Sequence, residues 1–303
     1  MQFQRGLDLF LTAKRGELAS QKTITYYEHW ARGFFRYAID NGAYNWESVQ
    51  AGQVQGYLSM LKEERKLKSA SVHDCYRALR AINRWLFKNN YIAACIMDKV
   101  DAPKQEKVIP RTFSIEEIKS MLGACDRFTF SGVRDKTMLV LLLSSGIRKS
   151  ELAGILSENV DIEHGFIKVY GKGSKERIIP IAVKVKNALL EYQTAKRSKV
   201  FPISSKYYFV NNQGGMITES AMSSIFKRIK EKSGLQGARV SCHTWRHTFA
   251  KNYLMNGGDI FSLQKLLGHS DLTTTKRYLN LNTKELETQF DKYNPVDNLT
   301  WVM

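Results

Sequence analysis

DKTMLVLLLSSGIRKSEL, residues 135–152, reads as a helix that stops and restarts. Thr137–Leu143 is the longest apolar run of the chain and suits a buried helix. It falls far short of the roughly 20 residues that a membrane span requires. Gly146 is the natural end of that helix, because glycine tolerates the left-handed backbone that closes a helix C-terminus. Arg148 follows at once. Glu151 stands three residues later, on the same face of the next helix.

Downstream, two short β-branched runs, Phe166–Tyr170 and Arg177–Ile181, flank the segment GKGSKE and predict a hairpin, or a pair of strands joined by a slightly long glycine-bearing loop. Apolar residues at three- and four-residue spacing then predict helices near Val183–Lys196, Glu219–Lys232, His243–Asn256 and Ile260–Leu267. A short segment, Leu272–Leu279, carries Tyr278, and a last amphipathic stretch covers Thr283–Phe290. Upstream, Ser114 and Glu117 have the spacing of a capping box and open a further helix.

Residues 101–112 hold two prolines and several charges without helical periodicity, and read as a linker. Residues 1–100 are helical throughout. Leu7, Phe10 and Leu11, then Tyr26, Tyr27, Trp30, Phe34 and Tyr37, predict buried faces, as do Val54, Tyr57, Leu58 and Leu61. A helix from about Ser69 to Phe87, with Ser69 and Ser71 as candidate caps, buries Val72, Leu79, Ile82 and Leu86. It offers Arg77, Arg80, Arg84 and Lys88 elsewhere. The expected division is 1–100, a linker at 101–112, and 113–303, mainly α with a small β-sheet in the second part.

The 303 residues suffice for two domains. The net charge of +17 asks for a polyanionic partner, since unpaired cations repel one another until phosphates neutralise them. The competing readings are a solubilising surface and attraction to a membrane surface. Distribution favours nucleic acid: residues 1–100 carry 15 Lys and Arg against 9 Asp and Glu, and the remainder 31 against 20, so both parts are basic. Cys75, Cys95, Cys125 and Cys242 form no CxxC pair and read as free thiols, with no metal site. The N-terminal residues lack the pattern of a signal peptide. A cytoplasmic protein is expected, with no membrane partner.

Cutting a DNA strand without metal or water needs a side-chain nucleophile, and a phenol serves if its proton can be removed. It also needs arginines to meet charge on the phosphoryl oxygens and an acid for the departing oxygen. The chain offers these in glycine-punctuated strings. SSGIRKSEL holds Arg148 and Glu151, and CHTWRHTFA holds His243 and Arg246 one helical turn apart. LLGHSDLTTTKRYLN holds His269 and, nine residues on, Tyr278; GKGSKER holds Lys172 between two glycines, with Lys175 as its competitor in the same loop. Lys175 and Arg177 join Arg77, Arg80, Arg84 and Lys88 as candidate DNA contacts. His29 and His247 match no motif position.

In this order and spacing the four strings resemble the tyrosine recombinases, the phage integrase family, and especially the Xer-like and transposon integrase branch. The resemblance covers essentially the whole chain. It implies a SAM-like, helical core-binding domain before the linker and a catalytic domain after it, closing on DNA as a two-domain C-shaped clamp. Tyr278 would form a 3′-phosphotyrosyl bond, Arg148 and Arg246 would hold the phosphate, and His243 and His269 would hydrogen-bond it or shuttle protons. Lys172 would protonate the leaving oxygen, and Glu151 would steady the site. No cofactor is implied. The implied partners are a double-stranded recombination site and further copies of the chain, a tetramer in which the C-terminal tail docks on a neighbour; a second recombinase or an accessory factor is also admitted. The task would be integration or excision of a mobile element, or dimer resolution. Topoisomerase-like relaxation of type IB and non-catalytic DNA binding are the alternatives. One departure is Trp245, where the family usually has a leucine-like aliphatic; a large apolar side chain is expected to pack there.

Overall fold

The computed structural model describes residues 1–105, 110–171, 176–199, 201, 204–237, 239–268 and 275. The chain divides into two compact units, Met1–Val108 and Ile109–Met303.

The first unit is helical: α1 (Phe3–Gly16), α2 (Gln21–Asp40), α3 (Ala51–Glu63) and α4 (Ser69–Lys88). Leu7, Phe10 and Leu11 of α1 and Leu79, Ile82 and Leu86 of α4 are buried in one core, as the spacing predicts. The buried face of α2 is the expected one only in part, with Phe34 buried as the spacing predicts. Ile24, Ala31, Phe34, Phe35 and Ala38 turn inward, while Tyr26, Tyr27, Trp30 and Tyr37 are half-buried at its border. At the border a tyrosine keeps its hydroxyl where it finds a partner, as Tyr26 Oη does by donating to the Asp74 carbonyl at 2.6 Å. The expected caps of α4 also move. The N-cap residue is Lys68, with no side-chain cap, and Ser69 is the first helical residue. The chain enters from a tight turn in which Lys66 has φ 50° and the Leu67 amide donates to the Leu61 carbonyl, and the helix starts one residue earlier than a cap at Ser69 would give.

The second unit combines α5 (Ile115–Gly123), α6 (Phe130–Ser145), α7 (Lys149–Ala153), β1 (Val160–Asp161), β2 (Phe166–Tyr170), β3 (Glu176–Pro180), α8 (Val183–Arg197), α9 (Glu219–Lys232), α10 (Cys242–Met255) and α11 (Ile260–Leu267). Ser114 and Glu117 form the expected capping box: Ser114 Oγ accepts from the Glu117 amide and Glu117 Oε2 from the Ser114 amide. The strand order is β1–β2–β3, antiparallel, with Ile167 opposite both Val160 and Ile179. The hairpin is therefore present, its second strand one residue earlier than expected, and β1 is an addition too short for periodicity to reveal.

Helix α6 packs chiefly against α8 and α10 and is buried on almost every side. Its polar residues are accordingly paired. Arg134 donates to Asp135 Oδ1 and to the Val210 carbonyl, and Thr137 donates to the carbonyls of Val133 and Ala188. Trp245 of α10 is fully buried with its ring 4.9 Å from that of Phe113, so the bulky substitution does pack. No described helix is long and apolar enough to cross a membrane.

Candidate active site

The restart after α6 builds the first half of the site. Gly146 takes φ 57°, and a Cβ there would lie 2.6 Å from a ring carbon of Phe249, so the turn is reserved for glycine. Arg148 follows as the N-cap residue of α7. Its amide donates to Glu151 Oε2 at 2.8 Å, and its Nη1 donates to Oε1 at 2.7 Å. The expected i,i+3 pair thus closes on itself at the helix start.

Glu151 has a second guanidinium. Arg177, on β3, donates from Nη1 to the same Oε1 at 2.6 Å. The carboxylate side chain is only 1% exposed. Burial pushes its pKa up, but the hydrogen bond and charge of Arg177, together with the amide and side chain of Arg148, outweigh it and hold the carboxyl below its ordinary value.

The second half of the site is the C-terminus of α11, where Gly268 again takes a left-handed φ of 62°. The last carbonyls of a helix lack partners within it and form the negative end of its dipole. Three consecutive carbonyls each receive an arginine. Leu266 accepts from Arg177 Nε at 3.0 Å, Leu267 from Arg246 Nη2 at 2.7 Å, and Gly268 from Arg148 Nη2 at 2.7 Å. Arg246 Nη1 also donates to the Gly146 carbonyl at 2.7 Å, which ties the two glycine turns together. Residues 148, 177 and 246, from three separate elements, therefore meet at one helix end, and among the described residues Arg148 and Arg177 share one carboxylate, Glu151. The exposed part of the Arg148 guanidinium is what an anion would meet.

Arg246 is 6% exposed, whereas the side chain of Arg148 is 37% exposed. His243 lies on the first turn of α10, exposed, one turn before Arg246. Lys172, Lys175, His269 and Tyr278 lie outside the described residues, as do Thr283–Phe290 and, apart from Thr275, Leu272–Leu279. Arg177 is the residue whose place the sequence reading missed. The signal was available: in a strand, Arg177 shares a face with Ile179, which is buried, so its side chain points inward and needs a carboxylate.

In the first unit, Arg77, Arg80 and Arg84 line one groove of about 430 Å³ together with Tyr26, Tyr27 and Asp74. Arg77 is paired with Asp74 at 3.8 Å and Arg84 with Asp98 at 2.9 Å, and Lys88 is exposed at the end of α4. Among the described residues no group of three His, Cys, Asp or Glu is placed to hold a metal ion.

Residues 111–285 match the phage integrase family. The tyrosine recombinase XerC of Syntrophus aciditrophicus is 33% identical to this chain, covering 82% of each. The tyrosine recombinase XerD of Listeria monocytogenes serotype 4b is 29% identical, covering 94% of this chain and 96% of its own length. Two solved structures share the fold. The XerH site-specific recombinase bound to a palindromic difH substrate, a post-cleavage complex, has a TM-score of 0.76 at 20% identity and covers 93% of this chain and 82% of its own. The Tn1549 transposon integrase in complex with transposon right end DNA has a TM-score of 0.75 at 19% identity, covering 97% of this chain and all of the other.

Proposed function

Since the chain belongs to the phage integrase family, we propose that it is a site-specific DNA recombinase, a tyrosine-type strand transesterase whose nucleophile is Tyr278. The observation that carries the reading is the meeting of Arg148 and Arg246 on the adjacent carbonyls of Gly268 and Leu267, immediately before His269 and the segment that carries Tyr278.

The chemistry follows from these groups. The Tyr278 oxygen bonds to phosphorus as the bond to the 5′-oxygen breaks, leaving a 3′-phosphotyrosyl link and a 5′-hydroxyl. The phenolic proton passes to a histidine, His243 or His269, as Lys172 supplies a proton to the departing oxygen. Arg148 and Arg246 meet the charge that grows on the non-bridging oxygens; an arginine fork contacts two oxygens and does not deprotonate. His243 and His269 hydrogen-bond the phosphate or pass protons. A 5′-hydroxyl from the partner strand then reverses the step. One ester is exchanged for another throughout, so no nucleotide hydrolysis is needed.

The partner is double-stranded DNA carrying a recombination site. Binding draws on both basic parts of the chain, with the Arg77–Arg80–Arg84 groove contributing phosphate contacts, in a C-shaped clamp over residues 1–100 and 113–303. Four copies act on two sites, with the C-terminal tail of each docked on a neighbour.

The test is to incubate the protein with fragmented genomic DNA, stop with detergent, isolate protein-linked fragments and sequence their ends. Wild-type protein is expected to give adducts focused on one site. Tyr278→Phe is expected to bind the recovered site equally and to give no adduct. An adduct surviving that change would mean another nucleophile. A plasmid carrying two copies of the recovered site is expected to yield recombinant product; relaxation alone would instead place the chain with the topoisomerase-like enzymes.

A further inference from the structure

Arg177 enters none of the chemical steps above, yet it makes more of the site's described ties than its place on a short strand requires. Its Nη1 shares Glu151 Oε1 with Arg148, and its Nε holds the Leu266 carbonyl. Its stem runs beside Gly268, where an added Cβ would lie 3.0 Å from Arg177 Cδ and 3.5 Å from Arg148 Nη1. The Arg177 side chain is 12% exposed against 37% for Arg148, so of the two cations on Glu151 it is Arg148 that remains open to a ligand.

We infer that Arg177 is a positioning residue of the strand-cleavage reaction: through Glu151 it sets how much of the Arg148 guanidinium faces the scissile phosphate, and through Leu266 it fixes the strand that follows the Lys172 loop to the helix end that precedes His269. The inference rests on the reading of Arg148 as a phosphate clamp. A buried carboxylate must be met by cations. With Arg177 present, Oε1 divides its demand between two guanidinium groups. With Arg177 gone, the whole demand falls on Arg148, and its fork is drawn inward, away from the phosphate. Lysine cannot replace Arg177, because a single ammonium centre cannot reproduce two donors aimed at a carbonyl and a carboxylate.

The effect belongs to the reacting phosphate and not to DNA affinity, which is spread over many contacts. It is therefore measured as the rate of covalent adduct formation at saturating DNA. The substrate is a nicked duplex carrying the site recovered from genomic adducts, with either a phosphodiester or a methylphosphonate at the scissile position. The methylphosphonate lacks the charged oxygen that the arginines meet. Arg177→Lys and Arg177→Gln are expected to slow adduct formation on the phosphodiester by about tenfold or more, as misplacement of a clamp does. They should leave duplex affinity nearly unchanged and lose most of their defect on the methylphosphonate.

Equal defects on both substrates would overturn the inference and make Arg177 a structural residue; so would a defect confined to affinity, or no defect. Thermal denaturation reports folding, and if Arg177→Gln does not fold, Arg177→Lys decides alone. Arg148→Lys in the same assay separates the two readings. Normal cleavage of the phosphodiester by that variant would remove the clamp itself. A slow Arg148→Lys beside unimpaired Arg177 variants would remove only the role given to Arg177.

Discussion

Glu151 is a buried carboxylate between two guanidinium groups, and its ionised state is part of the fold. Replacing it with glutamine leaves Arg177 and Arg148 without their shared countercharge, which for a buried pair costs about 3 kcal/mol near neutral pH. The pH dependence has a definite sign. The carboxyl is held below its ordinary value, so the folded state binds the proton less readily than the unfolded chain, where a glutamate titrates near pH 4.3. The stabilisation is therefore complete above that value and is lost as pH falls through the lower native one. The Tm difference between wild type and Glu151→Gln is expected to be constant from pH 7 down to about 5 and to narrow below the ordinary glutamate range. A gap that persists unchanged at pH 3 would show that the ion pairs are not its source. At this scale the sequence was informative. The Arg148–Glu151 pair was legible in a string of a few residues because residues three apart in a helix share a face. Arg177 was not placed correctly by charge alone, since a basic residue in a basic chain reads as surface until the alternation of its strand is taken into account.

Helix ends position much of this site, and each end is a local contract between a few backbone groups and one side chain. The reciprocal Ser114–Glu117 box shows how such an end is read from sequence: spacing alone located it. Ser114→Ala removes the acceptor for the Glu117 amide and is expected to lower stability by about 1 kcal/mol. The check is the urea midpoint, which should fall without a change in slope. An unmoved midpoint would mean that water serves that amide equally well. The C-terminus of α11 is a contract of another kind. Gly268 marks it in the sequence, but its three carbonyls are met by arginines 21, 89 and 120 residues away. No local pattern encodes such distant partners, so the helix was legible and its junction was not. The face of α2 was partly hidden for a related reason. Its aromatic residues gave the strongest apparent period, yet packing turned Ile24, Ala31, Phe35 and Ala38 inward beside Phe34, a choice made only once the neighbours are in place.

For the whole molecule the decisive quantity is charge. A net +17 spread over both parts of the chain makes phosphate contact the dominant contribution to DNA affinity, and each neutralised phosphate releases counterions. With about six phosphates contacted, the logarithm of the binding constant should fall with the logarithm of salt concentration with a slope near −5. The groove in the first unit supplies a sharper test. Arg77 is exposed and only loosely paired with Asp74, so a phosphate competes for it readily. Arg77→Ala is expected to reduce the steepness of that slope by about one and to weaken binding to specific and unrelated duplexes alike. Fluorescence anisotropy with labelled duplexes over a salt series measures both. A variant with the wild-type slope would remove Arg77 from the phosphate contacts. A loss confined to the specific duplex would make it a reader of bases. The cleavage site and the groove then make separable demands: changes at Arg148 or Arg177 should act on the rate of adduct formation with the salt slope almost intact, whereas changes along α4 should act on the slope with the rate at saturating DNA intact.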